Sequence, residues 1–168
     1  MREKERRKIF DRWTGAHSRL MLKIVRLYAF TPEDQDDLFQ EIALQLWHSI
    51  PQHRGESAET TWIYRVALYT ALGWTRKERR HRTGRVSLDD AEPALRVIPE
   101  HRDDRLDWLY GRIAELNEAD RSLMLLLLEG FGYREMAEIL GISESNVGVK
   151  ISRIKRRFAK LANERPER

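Results

Sequence analysis

The 168-residue chain contains no cysteine. That excludes disulfides and thiolate metal sites, and nothing points to an oxidising compartment. Long apolar runs are missing as well: the richest stretch, "LMLLLLEGF", falls far short of the roughly 18–20 residues that span a bilayer. The opening "MREKERRKIF" is charged and lacks the apolar centre of a secretion signal, so a cytoplasmic protein is expected. Five histidines (His17, His48, His53, His81 and His101) show neither metal-ligand spacing nor a nucleophile partner. No metal, no cofactor and no enzymatic activity are therefore expected. Strand-like alternation of apolar and polar residues is also lacking.

What remains is helical and charged. Hydrophobic residues make up 41% of the chain, enough for a core, and 35% of residues are charged, which suits helices with solvated outer faces. The net charge is only +4, but it is unevenly placed. Basic residues crowd into 76–85 and 150–160, while 33–41 is acidic. A basic block is most often a solvated face, but two of them with aromatics nearby strengthen the case for a nucleic-acid partner.

Apolar residues recur at helical spacing. Leu20, Ile24 and Leu27 form one stripe that ends near Phe30. Thr31-Pro32-Glu33 reads as a helix start, with Thr31 as N-cap, proline at the first helical position and acids in the first turn. Leu38, Ile42, Leu46 and Ile50 then recur every four residues until Pro51 stops the helix. "QHRGES" is a loop, and Ser57 or Thr60 can cap a third helix carrying Trp62, Val66, Tyr69 and Gly73. From Thr83 the pattern dissolves into Gly, Pro and mixed charge, the composition of a linker. Leu106, Leu109, Ile113 and Leu116 resume the helical pattern, Asn117 caps the next helix, and Gly130 and Gly132 end it. The expected fold class is all-α, with two small helical domains joined by a flexible linker: 1–82, a linker at 83–102, and 103–168.

The second domain ends in a helix-turn-helix pattern, "YREMAEILGISESNVGVKISRIKRR". Met136, Ala137, Ile139 and Leu140 lie on a short helix, and Ala137 is small enough to let a second helix cross closely. Gly141 supplies the positive φ of a tight turn. Ile142 plugs the turn and Ser143 caps the following helix. There Val147, Ile151, Ile154, Phe158 and Leu161 must face inward, leaving Glu144, Ser145, Asn146, Gly148, Lys150, Arg153 and Arg157 outward. Polar residues in the first turn can reach base edges in a major groove, and a basic shaft can hold phosphates. An ordinary helical hairpin with a basic face would show part of this pattern, but not small residue, turn glycine, plug, cap and basic face together.

The first half shows no alternating strands and no acidic receiver pocket. It carries "DQDDLFQEIALQLWHSI", then "RGESAETTWIYRVALYTAL", then "TRKERRHR". This series resembles region 2 of bacterial RNA polymerase sigma factors of the extracytoplasmic-function (ECF) group. Asp37, Gln40, Glu41, the run Arg54, Gly55, Glu56 and Ser57, and Thr61, Trp62, Tyr64, Arg65 and Ala67 match the family pattern in order and spacing. Residues 116–161 resemble region 4 of the same family. The resemblance implies a non-enzymatic factor that binds core RNA polymerase, directs it to a promoter and helps open the duplex. Region 2 would dock on the β′ clamp helices through Asp37, Gln40 and Glu41. It would read the −10 element through Arg54, Gly55, Glu56, Ser57, Thr61, Trp62, Arg65 and Tyr69, with Arg76, Lys77, Arg79 and Arg80 tracking phosphates. Region 4 would dock on the β flap and read the −35 element. An anti-sigma factor is the regulator implied at family level.

On the residues alone, Asp37, Gln40 and Glu41 lie within about one turn and offer acceptors and an amide to a basic partner helix. The short loop 54–57 has a glycine and hydrogen-bonding side chains and can hold an unstacked base by its edges, or simply connect two helices. Trp47 and Trp62 are expected in the core. Three positions depart from the family pattern. Tyr69 stands where asparagine is usual, and Asn146 and Gly148 replace Thr and Lys, so base preference at both elements is open. Asparagine can hold adenine bidentately. Gly148 costs roughly 1 kcal/mol of helix propensity and can let DNA approach the backbone. Two other functions fit parts of the pattern: a sigma-like decoy that sequesters an anti-sigma factor, and a stand-alone helix-turn-helix activator. A decoy has no need of the DNA-facing basic residues, and an activator has no need of the Asp37–Glu41 face or the 54–57 loop.

Overall fold

The computed structural model describes residues 2–83 and 104–164, the side chains of 79–83, 104 and 107 excepted. Among them there are seven α-helices, one 3-10 turn and no strand. They fall into two compact units divided at residue 98. Most of the expected linker lies outside the described residues; Thr83, placed at its start, is the last residue of a helix.

The first unit is a bundle of three long helices, α1 (Glu3–Tyr28), α2 (Pro32–Ser49) and α3 (Glu59–Thr83), each packed on the other two. Leu38, Ile42, Leu46 and Ile50 are all buried, as their spacing predicts, and so are Met21 and Ile24 of α1 and Ile63, Ala67 and Leu68 of α3. The Thr31 hydroxyl accepts from the Asp34 amide at 3.1 Å, the expected cap. Three details differ from expectation. Helix α1 begins far upstream of its apolar stripe, at Glu3, and bends at His17 (φ −118°, ψ 16°). The bend lies in "TGAHS", a run poor in strong helix formers, and its upstream half is anchored by Trp13, 1% exposed. Helix α3 begins at Glu59, with the Ala58 carbonyl accepting from the Trp62 amide at 3.1 Å, so neither Ser57 nor Thr60 occupies the cap position. Finally, Pro51 ends α2 but the chain tightens into a 3-10 turn, Ile50–Gln52, before leaving.

Pro51 has a further consequence. It has no N–H to give the Trp47 carbonyl four residues earlier. Arg6 of α1 supplies the donors instead: its Nε and Nη2 reach the Trp47 oxygen at 2.9 and 2.5 Å. The guanidinium also lies 4.4 Å from the centre of the Trp47 ring, a cation–π contact.

The second unit contains α4 (Asp104–Ala114), α5 (Glu118–Leu128), α6 (Tyr133–Leu140) and α7 (Glu144–Asn163). Helix α5 is buried on nearly every side, from Arg121 through Leu126, in agreement with its apolar run. Asn117 caps it, Oδ1 accepting from the Asp120 amide at 3.0 Å. Gly130 (φ +86°) ends it: the Gly130 amide reaches the Leu127 carbonyl and the Phe131 amide the Leu126 carbonyl, both at 3.1 Å. Arg121 is a charged residue in this apolar setting, 8% exposed. Its Nη2 donates to the Ala114 and Leu116 carbonyls at 2.7 and 3.0 Å, sealing the C-terminal end of α4. A cation is favoured there by the helix dipole as well.

Candidate nucleic-acid interface

In the second unit, α6 and α7 form the helix-turn-helix. Gly141 takes φ +66°, ψ 34°, and both its amide and that of Ile142 converge on the Ala137 carbonyl. Glu135 Oε2 accepts from the Gly132 amide at 2.9 Å, fixing the start of α6. The Ser143 hydroxyl accepts from the Asn146 amide at 3.1 Å, fixing the start of α7. Val147, Ile151, Ile154 and Phe158 are buried, and the Phe158 ring meets Trp108 of α4 edge-on at 6.4 Å. With that face committed inward, Glu144, Ser145, Asn146, Arg153 and Arg157 are exposed. A capped, packed helix thus presents a polar first turn and a basic shaft.

Two members of the expected face are otherwise engaged. Lys150 is half-buried, its Nζ 3.2 Å from Asp120 Oδ1, so this ammonium ties α7 to α5. Gly148 is half-buried under Tyr133: a Cβ there would meet the tyrosine ring at 3.5 Å. The glycine position therefore packs beside Tyr133 of α6 in its own unit.

In the first unit, Asp37 and Gln40 are exposed on α2, while Glu41 is half-buried and accepts from Gln45 Nε2 at 2.9 Å. On α3, Arg65, Arg76 and Lys77 are exposed and Tyr69 is 47% exposed. An open groove between α2 and α3 is lined by Glu41, Gln45, Tyr69, Thr70, Trp74 and Lys77. An adjoining depression shares Gln45, Tyr69 and Thr70 and reaches Trp62 and Arg65. Aromatic faces beside cations suit an unstacked base and its phosphate. Thr61, expected on this surface, is buried (7% exposed), because it falls on the same α3 stripe as Tyr64, Leu68 and Ala71. Trp62 and Trp47, expected in the core, are each only half-buried; Trp62 Nε1 donates to the Ser49 hydroxyl at 3.1 Å, and Ser49 donates to the Leu46 carbonyl. Arg79 and Arg80 continue α3, but their side chains lie outside the described residues.

The loop 54–57 projects from this end of the bundle. Arg54, Gly55 and Glu56 are exposed, Ser57 is half-buried, and Gly55 takes φ +77°, which favours glycine. Arg12 of α1 forms an ion pair with Glu59 just beyond the loop.

Both halves match known families. The family described as Sigma-70 region 2 matches residues 14–81, and the one described as Sigma-70, region 4 matches residues 106–158. The ECF RNA polymerase sigma-E factor of Haemophilus influenzae is 32% identical over 132 residues, covering 71% of this chain and 70% of that protein. This chain belongs to the sigma-70 family, in its ECF group. The ECF RNA polymerase sigma factor SigM of Mycobacterium tuberculosis is similar over a longer stretch, 26% identical across 90% of this chain and 76% of its own. Among solved structures, the sigma factor RpoE of Bartonella quintana, in complex with the anti-sigma factor NepR, shares the fold at a TM-score of 0.75 and 17% identity, covering 93% of this chain and 98% of that one.

Sequence reasoning missed four contacts that shape these surfaces: Arg6 on Trp47, Arg121 on the end of α4, Lys150 on Asp120, and His53, whose Nε2 lies 3.2 Å from the Ser57 carbonyl. Pro51 was a usable signal for the first, since a helix-ending proline leaves a carbonyl without its donor.

Proposed function

We propose that the two units divide the work of a sigma factor, which directs RNA polymerase to promoters and starts transcription. The first unit, assigned to residues 1–82, docks on the β′ clamp helices through Asp37 and Gln40, with Glu41 at the edge of that face. Its loop 54–57 and the α2–α3 groove with Trp62, Arg65 and Tyr69 hold unstacked −10 bases, and Arg76, Lys77, Arg79 and Arg80 follow the phosphates. The second unit, assigned to residues 103–168, docks on the β flap and reads the −35 element with Glu144, Ser145 and Asn146, while Arg153 and Arg157 hold phosphates. The chain acts as a specificity subunit with no catalytic step of its own, in the cytoplasm, where polymerase works. Among the described residues no helix is long and apolar enough to cross a membrane. An anti-sigma factor, as in the Bartonella complex, is the regulator assigned to it.

The observation that carries this reading is the exposed Asp37–Gln40 face on the unit that also bears the loop and groove. A stand-alone duplex binder has no use for it. Selection from a random duplex pool, with and without core polymerase, tests the whole assignment. Two sequence blocks at fixed spacing, recovered only with core present, are expected. One block recovered equally well by the chain alone would replace the sigma assignment with a simple activator.

A further inference from the structure

His53 stands at the upstream foot of the 54–57 loop and touches four parts of the first unit at once. Its backbone amide reaches the Ser49 and Ile50 carbonyls at 3.2 Å, fixing it to the 3-10 turn. Its ring lies 5.5 Å from Trp13 of α1, nearly perpendicular at 84°, and 5.5 Å from Trp62 of α3, tilted at 59°. Its Nε2 lies 3.2 Å from the Ser57 carbonyl, at the loop's other foot. A carbonyl only accepts, so Nε2 carries the proton in this contact. One side chain therefore joins both feet of the loop and seats them on the bundle. The crest, Arg54, Gly55 and Glu56, is exposed and takes its shape from those feet.

We infer that His53 is a positioning residue for base capture by the 54–57 loop, acting through the Nε2–H donated to Ser57. The inference rests on the proposed role of that loop in reading a −10 base. Ordering backbone costs conformational entropy, so a loop ordered only on contact would lose affinity to its own immobilisation, and a pre-shaped one would not. His53 touches no base in this scheme. It holds the groups that do.

The test separates the hydrogen bond from the packing. His53→Phe keeps an aromatic ring between Trp13 and Trp62 but has no donor. His53→Gln keeps an amide donor at similar reach but loses the ring. Each variant is bound to core polymerase and titrated with a fluorescent single-stranded 12-mer carrying the selected −10 block, and with its single-base variants. Arg54→Ala/Glu56→Ala serves as the loop control. If His53 positions the loop, His53→Phe loses about five- to tenfold in affinity for the matched strand, the worth of one hydrogen bond. It also loses part of its discrimination between strands, while His53→Gln stays close to wild type in both, whatever its thermal midpoint. A residue that merely packs would give the reverse order, and that result overturns the inference while leaving the loop's role intact. Should the Arg54/Glu56 control itself bind and discriminate like wild type, the loop reads no base, and both the inference and the reading beneath it fall.

Discussion

The two units support their candidate contacts in opposite ways. In the second, the contact surface is a helix, and its support is local: the Ser143 cap three residues from Asn146, the Gly141 turn, and the apolar face of α7 itself. In the first, the contact surface is a loop beside a groove, and its support is distant. His53 leans on Trp13, forty residues upstream in the chain, and on Trp62 in the next helix. A duplex groove has a regular shape that a rigid helix can match from its own sequence. Holding an unpaired base requires a pocket of irregular shape, which has to be assembled from several elements. Rigidity is needed in both cases, and only its source differs.

Each unit also relies on one arginine to seal a helix end, and the two make the sharpest comparison. Arg121→Met leaves two buried carbonyls without a donor, and a loss of about 3 kcal/mol is expected in the second unit alone. Arg6→Met leaves one half-buried carbonyl and removes the stack on Trp47, with about 1–2 kcal/mol expected in the first unit alone. Denaturation followed by hydrogen exchange resolves the two, since protection should fall in one unit and hold in the other. A fall in both units from either substitution would mean that they do not fold independently.

A smaller effect separates the basic residues of α7. Arg153→Ala and Arg157→Ala are each expected to lower promoter affinity and flatten its salt slope by about one unit. Lys150→Ala should change the slope by less, because Asp120 already neutralises that ammonium, whereas Asp120→Asn should release it and steepen the slope. Equal slope changes at 150, 153 and 157 would show that the Lys150–Asp120 bridge opens on DNA. Smallest of all, Gly148→Ala should stabilise the second unit by up to about 1 kcal/mol, as helix propensity predicts, read as a higher unfolding midpoint. The added methyl meets Tyr133 at ordinary contact distance. An accompanying loss of promoter affinity would restore the idea that DNA approaches this glycine.

What could be read from the sequence follows the same division. The caps at Thr31, Asn117 and Ser143, the turn at Gly141 and the buried stripes of α2 and α7 are short-range features, written within about four residues, and they appear where their spacing places them, save Leu161 at the end of α7, which is only half-buried. Helix α1 upstream of Leu20 was not legible, because its charged run offers only Ile9, Phe10 and Trp13 as apolar marks. Arg6, Arg121, Lys150 and His53 are long-range or side-chain-to-backbone features. Nothing in their neighbours shows that Arg6 lies on a carbonyl 41 residues away, or that Lys150 meets an acid 30 residues upstream. Thr61 shows the related limit of motif transfer: the pattern names the residue, and the helical phase decides which way it points.

Whether the first unit docks on polymerase is decided by one binding measurement. Purified core RNA polymerase is passed over a sizing column with the wild-type chain and, separately, with the Asp37→Arg/Gln40→Ala variant, both checked for helicity. Both residues are exposed, so the fold should survive the change. The wild type is expected to co-elute with core and the variant at least tenfold more weakly, at unchanged duplex affinity. Equal co-elution of the two would contradict the docking face, and failure of the wild type to bind at all would contradict the function.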